Sequence, residues 1–468
     1  MTSSAFERFL VPWRCVEAFG AHAVVQHMLD FEAALAKAQA AEGLIPASAA
    51  NAIAAACRAE LHDAPALVDA ASRAGSLAIP LIRSLTSRVA KDDAKAADWV
   101  HFGSTSQDAI DTAMVLSTRE ALAWLDAAAG QLATHLLALA DTHLDAPVLA
   151  RTLMQPAQVT SFGLKCTDWA APLVRSLAGV RAAAARALAL QLGGAIGTLS
   201  GLGVHGPAVA RRMADELRLA LPPASWHTQR DEWLRLALEV AVLAGNLSKI
   251  ATDLALMAQG EVGELAEPSV GSDGKRRGGS SAMPHKRNPV SAMVALACTR
   301  RVPQRAAAML ASMAQEHERG LGNWQAELAE WPELLGATSS AAQALAEAFA
   351  GLQVDRTRMR RNIDAQQGLV FAEAATALVA RAIGKAGASA LIEQLAARTA
   401  GEARSLHALL ADAVHADVRL RDAIDEEALR EVFDADAAAR PAGALAASRL
   451  ATLREALAAL PVAPWTPH

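Results

Sequence analysis

Between Leu236 and Met257 the apolar residues Leu236, Val240, Leu243, Leu247, Ile250, Leu254 and Met257 follow one another at alternating spacings of four and three. That alternation draws one continuous stripe along about six turns of α-helix. Such a stripe is satisfied only by other long helices, in a bundle or coiled coil, either within one chain or between subunits. Most of the chain accommodates such helices: alanine, leucine and arginine dominate, tyrosine is absent, and alternating Val/Ile/Thr runs are scarce. The expected fold class is all-α.

Other segments fit that reading. Thr105 and Ser106 precede Asp108 in a capping-box-like start, after which Ile110, Met114, Leu125, Leu132, Leu136 and Leu139 recur on one face of a long helix. A second long helix is predicted from about Val159 to Leu192. A third, bearing the seam, opens at Thr228 with Asp231 three residues on. A fourth runs from about Val290 to Glu318, kinked at Pro303. Turn signals at Glu42-Gly43, Ile45-Pro46 and Ala64-Pro65 divide the first hundred residues into shorter helices, and the charged run Arg356, Arg358, Arg360, Arg361 marks a second boundary. Three helical domains are expected: 1–107, a long-helix bundle over 108–353 with a loop at 271–289, and 354–468.

A net charge of -5 and a sequence pI near 6.2 argue against a nucleic-acid binder dominated by phosphate contacts. Cys15, Cys57, Cys166 and Cys298 are scattered without a CxxC pair, which fits neither a zinc site nor a disulfide framework; they read as buried thiols, and no metal is expected. The N-terminus lacks the cationic start and apolar run of a secretory signal, so a cytoplasmic location is expected. The longest uncharged stretch, Ala187–Val204, is broken by five glycines and makes a poor membrane span, with nothing else expected to do better.

The chemistry concentrates in Gly278-Gly279-Ser280-Ser281-Ala282-Met283-Pro284-His285-Lys286-Arg287-Asn288-Pro289. Two glycines and two serines make a mobile arm, and two prolines bracket a cationic segment, so the arm can fold over a bound molecule while Lys286 and Asn288 hold an anionic group. The plainer reading of such a stretch is a solvated linker. Upstream, His101-Phe102-Gly103-Ser104-Thr105-Ser106-Gln107-Asp108 sets hydroxyls and backbone N–H groups at a helix start, where anions are attracted; simple capping is the alternative. Gly193-Gly194-Ala195-Ile196-Gly197-Thr198 lacks the lysine and preceding strand of a phosphate loop and reads as a turn between bundle helices. Gln315-Glu316-His317-Glu318-Arg319 is compatible with a solvated helix end.

The glycine-serine string resembles the signature of the fumarase/aspartase superfamily. The neighbouring segments are most similar to the bacterial 3-carboxy-cis,cis-muconate cycloisomerase family, over residues from about 75 to 385. This resemblance implies a homotetramer of central long helices whose active sites draw on several subunits, no cofactor, and a small tricarboxylate as substrate. No nucleic-acid or membrane partner is expected. It assigns catalysis to Ser280 and substrate binding to Thr105, Ser106, Lys286 and Asn288. Arg151 and Gln155, in a segment similar to the second substrate region, join them, as do Arg319 and His101.

Two departures from the wider superfamily are informative. Leu153 stands where several lyases carry a histidine that protonates the leaving group, and Met293 stands where many carry that histidine's supporting glutamate. No Thr-Arg-His-Asp segment occurs upstream, only Gly75-Ser76-Leu77-Ala78-Ile79-Pro80. An expelled amine or hydroxide needs a proton, whereas a carboxylate leaves unaided. The missing histidine therefore favours lactonisation over a lyase that eliminates an amine or thiolate from a succinyl adduct. The intact loop argues against a non-catalytic structural role.

Overall fold

The computed structural model describes residues 5–11, 16–271 and 273–465. Five helices form the centre: α2 (Ser106–Thr142), α3 (Phe162–Ala187), α4 (Asp231–Met257), the shorter α5 (Val290–Thr299) and α7 (Asn323–Ala350). α1 (Ala21–Ala41) lies across α2 ahead of them, and α6 (Val302–Ala311) packs on α7 and α4. α2 packs on both α3 and α7, and α4 packs on α3, α7 and α5. The seam faces inward: Leu236, Val240, Leu243, Leu247 and Leu254 are wholly buried, with Ile250 and Met257 almost so. Full burial of a leucine side chain contributes about 1.5–3 kcal/mol, so the stripe is a major part of the bundle's cohesion.

α4 has the length and hydropathy of a membrane span, contrary to the sequence expectation that no segment comes close, yet its apolar stripe is occupied by the protein's own core. Cys57, Cys166 and Cys298 are buried, and the Cys298 thiol donates to the Leu10 carbonyl at 3.5 Å; Cys15 lies outside the described residues.

Among the described residues the all-α architecture carries two short antiparallel sheets. β1 (Pro147–Thr152) and β2 (Gln155–Ser161) form a hairpin where the predicted second helix was to begin. That helix starts instead at Phe162, where the Ser161 hydroxyl accepts the N–H of Leu164 at 2.9 Å. Leu265–Ala266 pairs with Gln353–Val354. The predicted helix 290–318 is also divided. Its first part ends at Thr299 and its second begins at Val302, with irregular chain after Ala311. Pro303 has no N–H to continue the first helix and instead occupies the opening turn of the second, where none is needed. The seam helix opens at Asp231, three residues later than expected.

Beyond the bundle, α8 (Arg356–Asp364) leads to α9 (Ala372–Glu402), broken at Gly384, and to shorter helices that share a separate small core from Ala375 to Leu429. The last helix, α10 (Ala435–Ala458), leaves that core and packs along α3 and α2.

Candidate active site

The start of α2 is braced by contacts from several distant segments. Asp108 is wholly buried and completes the capping box by accepting the N–H of Thr105 at 3.0 Å. Its carboxylate also takes the N–H groups of Gly193 and Gly194, both at 2.9 Å, and pairs with His227 Nε2 at 2.7 Å. The glycine-rich segment is thus a turn between helices that wraps its amides around the protein's own carboxylate. Gly193 has no room for a side chain, since a Cβ would stand 2.6 Å from the Ser225 hydroxyl.

One turn further, Asp111 accepts from Trp324 Nε1 at 2.9 Å, from Gln107 at 3.2 Å and from Arg230 at 3.0 Å. Arg230 also binds Glu327 and lies over the Trp226 ring at 4.4 Å. Burial disfavours the Arg230 cation, but the carboxylates of Asp111 and Glu327 more than offset this and raise its pKa. These groups fix the helix start and leave the Thr105 and Ser106 hydroxyls, both half-buried, at its outer edge.

Arg319 reaches that edge. One of its Nη atoms donates to Thr105 Oγ1, and its Nε donates to Gln107 Oε1 at 3.2 Å. A guanidinium, two hydroxyls and a helix N-terminus are groups that can together accept a carboxylate. His101, three residues before Ser104, has Nδ1 2.6 Å from Glu32 Oε1, and among the described residues no hydrogen bond ties its side chain to Thr105, Ser106 or Arg319. His317, by contrast, is exposed.

Arg151 and Gln155 lie in the hairpin. Arg151 is engaged with the wholly buried Glu264 at 2.7 and 3.1 Å, and the same carboxylate accepts from Asn362 at 2.8 Å. Gln155 is exposed beside the tip. At the tip, Leu153 and Met154 adopt φ of 50° and 67°, with Leu153 96% exposed. Two left-handed residues are what a two-residue hairpin turn needs, usually Asn-Gly. Here two large apolar side chains occupy it at a conformational cost of about 1–3 kcal/mol each.

The signature loop is organised from within. Asn288 N–H donates to the Gly278 carbonyl at 2.7 Å, and Ser280 Oγ accepts the N–H of Met283 at 3.1 Å. Its stems are tied down: Gly271 bonds to Lys275, Arg277 to Ser269, and Glu267 caps α5 by accepting the N–H groups of Ser291 and Ala292 at 2.9 and 2.8 Å. Lys286 is exposed, while Ser280 and Asn288 are half-buried. Among the described residues no hydrogen bond or ion pair joins Ser280, Lys286 or Asn288 to Thr105, Ser106 or Arg319. A single chain thus assembles the helix-start group and the loop group separately.

Sequence reasoning did not single out Glu32, Asp111, His227, Arg230, Glu264, Glu327 or Asn362. Each pairs with a residue far along the chain, so no local spacing marks it. The faint available signal is a charge flanked by apolar residues, as at Glu32 between Phe31 and Ala33.

Among known proteins, the model of a lyase family matches residues 14–303. The chain is 47% identical over 410 residues to a 3-carboxy-cis,cis-muconate cycloisomerase of Bradyrhizobium diazoefficiens, covering 88% of this chain and 89% of the relative. It is 44% identical to the enzyme of the same name from Pseudomonas aeruginosa, covering 87% and 88%. Its fold superposes on the crystal structure of the 3-carboxy-cis,cis-muconate lactonizing enzyme from Pseudomonas putida with a TM-score of 0.90 at 38% identity, over 97% of this chain and 100% of that one.

Proposed function

Because the chain belongs to this lyase family, we propose that it is a cycloisomerase interconverting 3-carboxy-cis,cis-muconate and 4-carboxymuconolactone. The observation that carries the choice of reaction within the family is the hairpin tip, which presents Leu153, an aliphatic side chain with no proton to give. In the lactonising direction one substrate carboxylate oxygen attacks an alkene carbon, forming the ring C–O bond. The electron pair moves toward a second carboxylate, and the carbon beside it then takes a proton. Nothing is expelled; in reverse the leaving group is a carboxylate, which needs no acid.

We assign the proton to Ser280. Its hydroxyl already receives backbone N–H groups from Ala282 and Met283, donors that would stabilise the alkoxide in the reverse direction. Thr105, Ser106 and Arg319 are assigned to one carboxylate, and Lys286 and Asn288 to the carboxylate on which charge develops, with Gln155 near the ring. Arg151 contributes from within the hairpin through Glu264. Since the two groups stand apart in one chain, the site is proposed to close between subunits of a homotetramer, each giving its loop to a neighbour. No cofactor enters this scheme.

The test is turnover of purified protein with 3-carboxy-cis,cis-muconate, followed by loss of the conjugated-diene absorbance. Rapid lactone formation with negligible cleavage of adenylosuccinate is the expected result; efficient adenylosuccinate cleavage would overturn the assignment.

A further inference from the structure

Glu32 lies in the middle of α1, 1% exposed, among Met28, Leu29, Phe31 and Leu35 of the core. One carboxylate oxygen is 2.6 Å from His101 Nδ1, and the other is buried with no hydrogen-bond partner among the described residues. A carboxylate placed like this is costly unless a cation compensates it. Two turns along the same helix, the buried Gln39 donates to the Phe102 carbonyl at 2.6 Å. α1 therefore grips the 101–102 corner at two points. The corner is one that a non-glycine residue resists, since His101 has φ of 59°. It leads directly into Ser104-Thr105-Ser106. The His101 side chain is 17% exposed, and its Nε2 carries no hydrogen bond among the described residues.

We propose that Glu32 and His101 form a carboxylate–imidazolium pair that fixes a positive charge beside the N-terminus of α2 and offers His101 Nε2–H to one carboxylate of the tricarboxylate substrate. Glu32 is a positioning residue: it orients the ring through Nδ1–H and favours its charged form. The identity of the ligand rests on the cycloisomerase reading given above. The charged groups around the ring are Glu32 from α1 and Asp108 from α2. The segment packed on Gly103 brings Leu202 and Gly201, and Arg319 extends to Thr105. Burial works to lower the imidazole pKa, and the two carboxylates outweigh it, holding it above its ordinary 6.5. The cation is therefore present below that raised value and lost as pH climbs through it. Binding of a trianion weakens on the alkaline side.

The experiment measures KM and kcat for 3-carboxy-cis,cis-muconate from about pH 5.5 to 9 in the wild type, Glu32→Gln and His101→Asn. Beyond the break, wild-type KM should rise about tenfold per pH unit while kcat changes much less. Glu32→Gln should move the break toward acid. His101→Asn should abolish it, leaving KM near the wild type's alkaline value. In [15N]histidine spectra the His101 ring should titrate at the wild-type break and shift with Glu32→Gln. An unmoved break in Glu32→Gln, or a retained break in His101→Asn, overturns the pair. His101→Asn leaves α1 untouched and decides the matter should Glu32→Gln fail to fold. A wild type inert toward this substrate removes the functional reading alone. The spectra then decide, and a His101 ring indifferent to Glu32→Gln overturns the proposal.

Discussion

Ser280 and Arg230 illustrate two ways a single residue can matter. Ser280→Ala removes only a hydroxyl in a loop held by backbone hydrogen bonds, so folding and assembly should be unchanged, while kcat should fall by about 10²–10⁴ with little change in KM. Steady-state kinetics beside a thermal melt check this. Arg230 lies far inside, between Asp111 and Glu327. Arg230→Met would strand two buried carboxylates, a change that costs about 3–5 kcal/mol. The expected signature is a large drop in melting temperature, partly recovered at acid pH, where Glu327, whose pKa burial already raises, takes up a proton.

At the level of elements, the signature loop depends on one backbone conformation. Gly278 has φ of 73°, and a Cβ there would stand 2.5 Å from the Asn288 carbonyl oxygen. Gly278→Ala should lower kcat/KM by about tenfold or more while shifting the melt only slightly, because the loop contributes little to the core. The presence of an irregular loop here was legible in its residues, as were the seam of α4 and the capped start of α2, because each is written in local spacing. The hairpin was not. β1 and β2 carry alanine, arginine and glutamine rather than a β-branched alternation, and Leu153-Met154 turns the chain without the Gly or Asn that advertises a turn. The division at Pro303 was half legible: a proline announces disturbance, but only packing decides between a kink and two helices. The ion-pair lattice behind the site was illegible for a different reason. Asp111, Arg230 and Glu327 meet only after three helices have docked.

On the scale of the whole molecule, the proposed division of the site between copies has a measurable consequence. Ser280→Ala would damage the loop group and Arg319→Ala the helix-start group, so each variant alone should be nearly inactive. When the two variants are unfolded together and reassembled in equal amounts, about a quarter of the sites should combine an intact loop with an intact helix start. Activity should return to about that fraction of wild type. If mixing restores nothing, both groups must come from one chain.

The tied stems of the signature loop carry a last implication. With Gly271 bonded to Lys275, Arg277 to Ser269, and Glu267 fastened to the first turn of α5, movement of residues 278–288 ends at its own feet and leaves the bundle beneath undisturbed. In the proposed homotetramer, closure of one loop should therefore send no movement through the helices to another site, and saturation should follow a simple hyperbola with a Hill coefficient of about one.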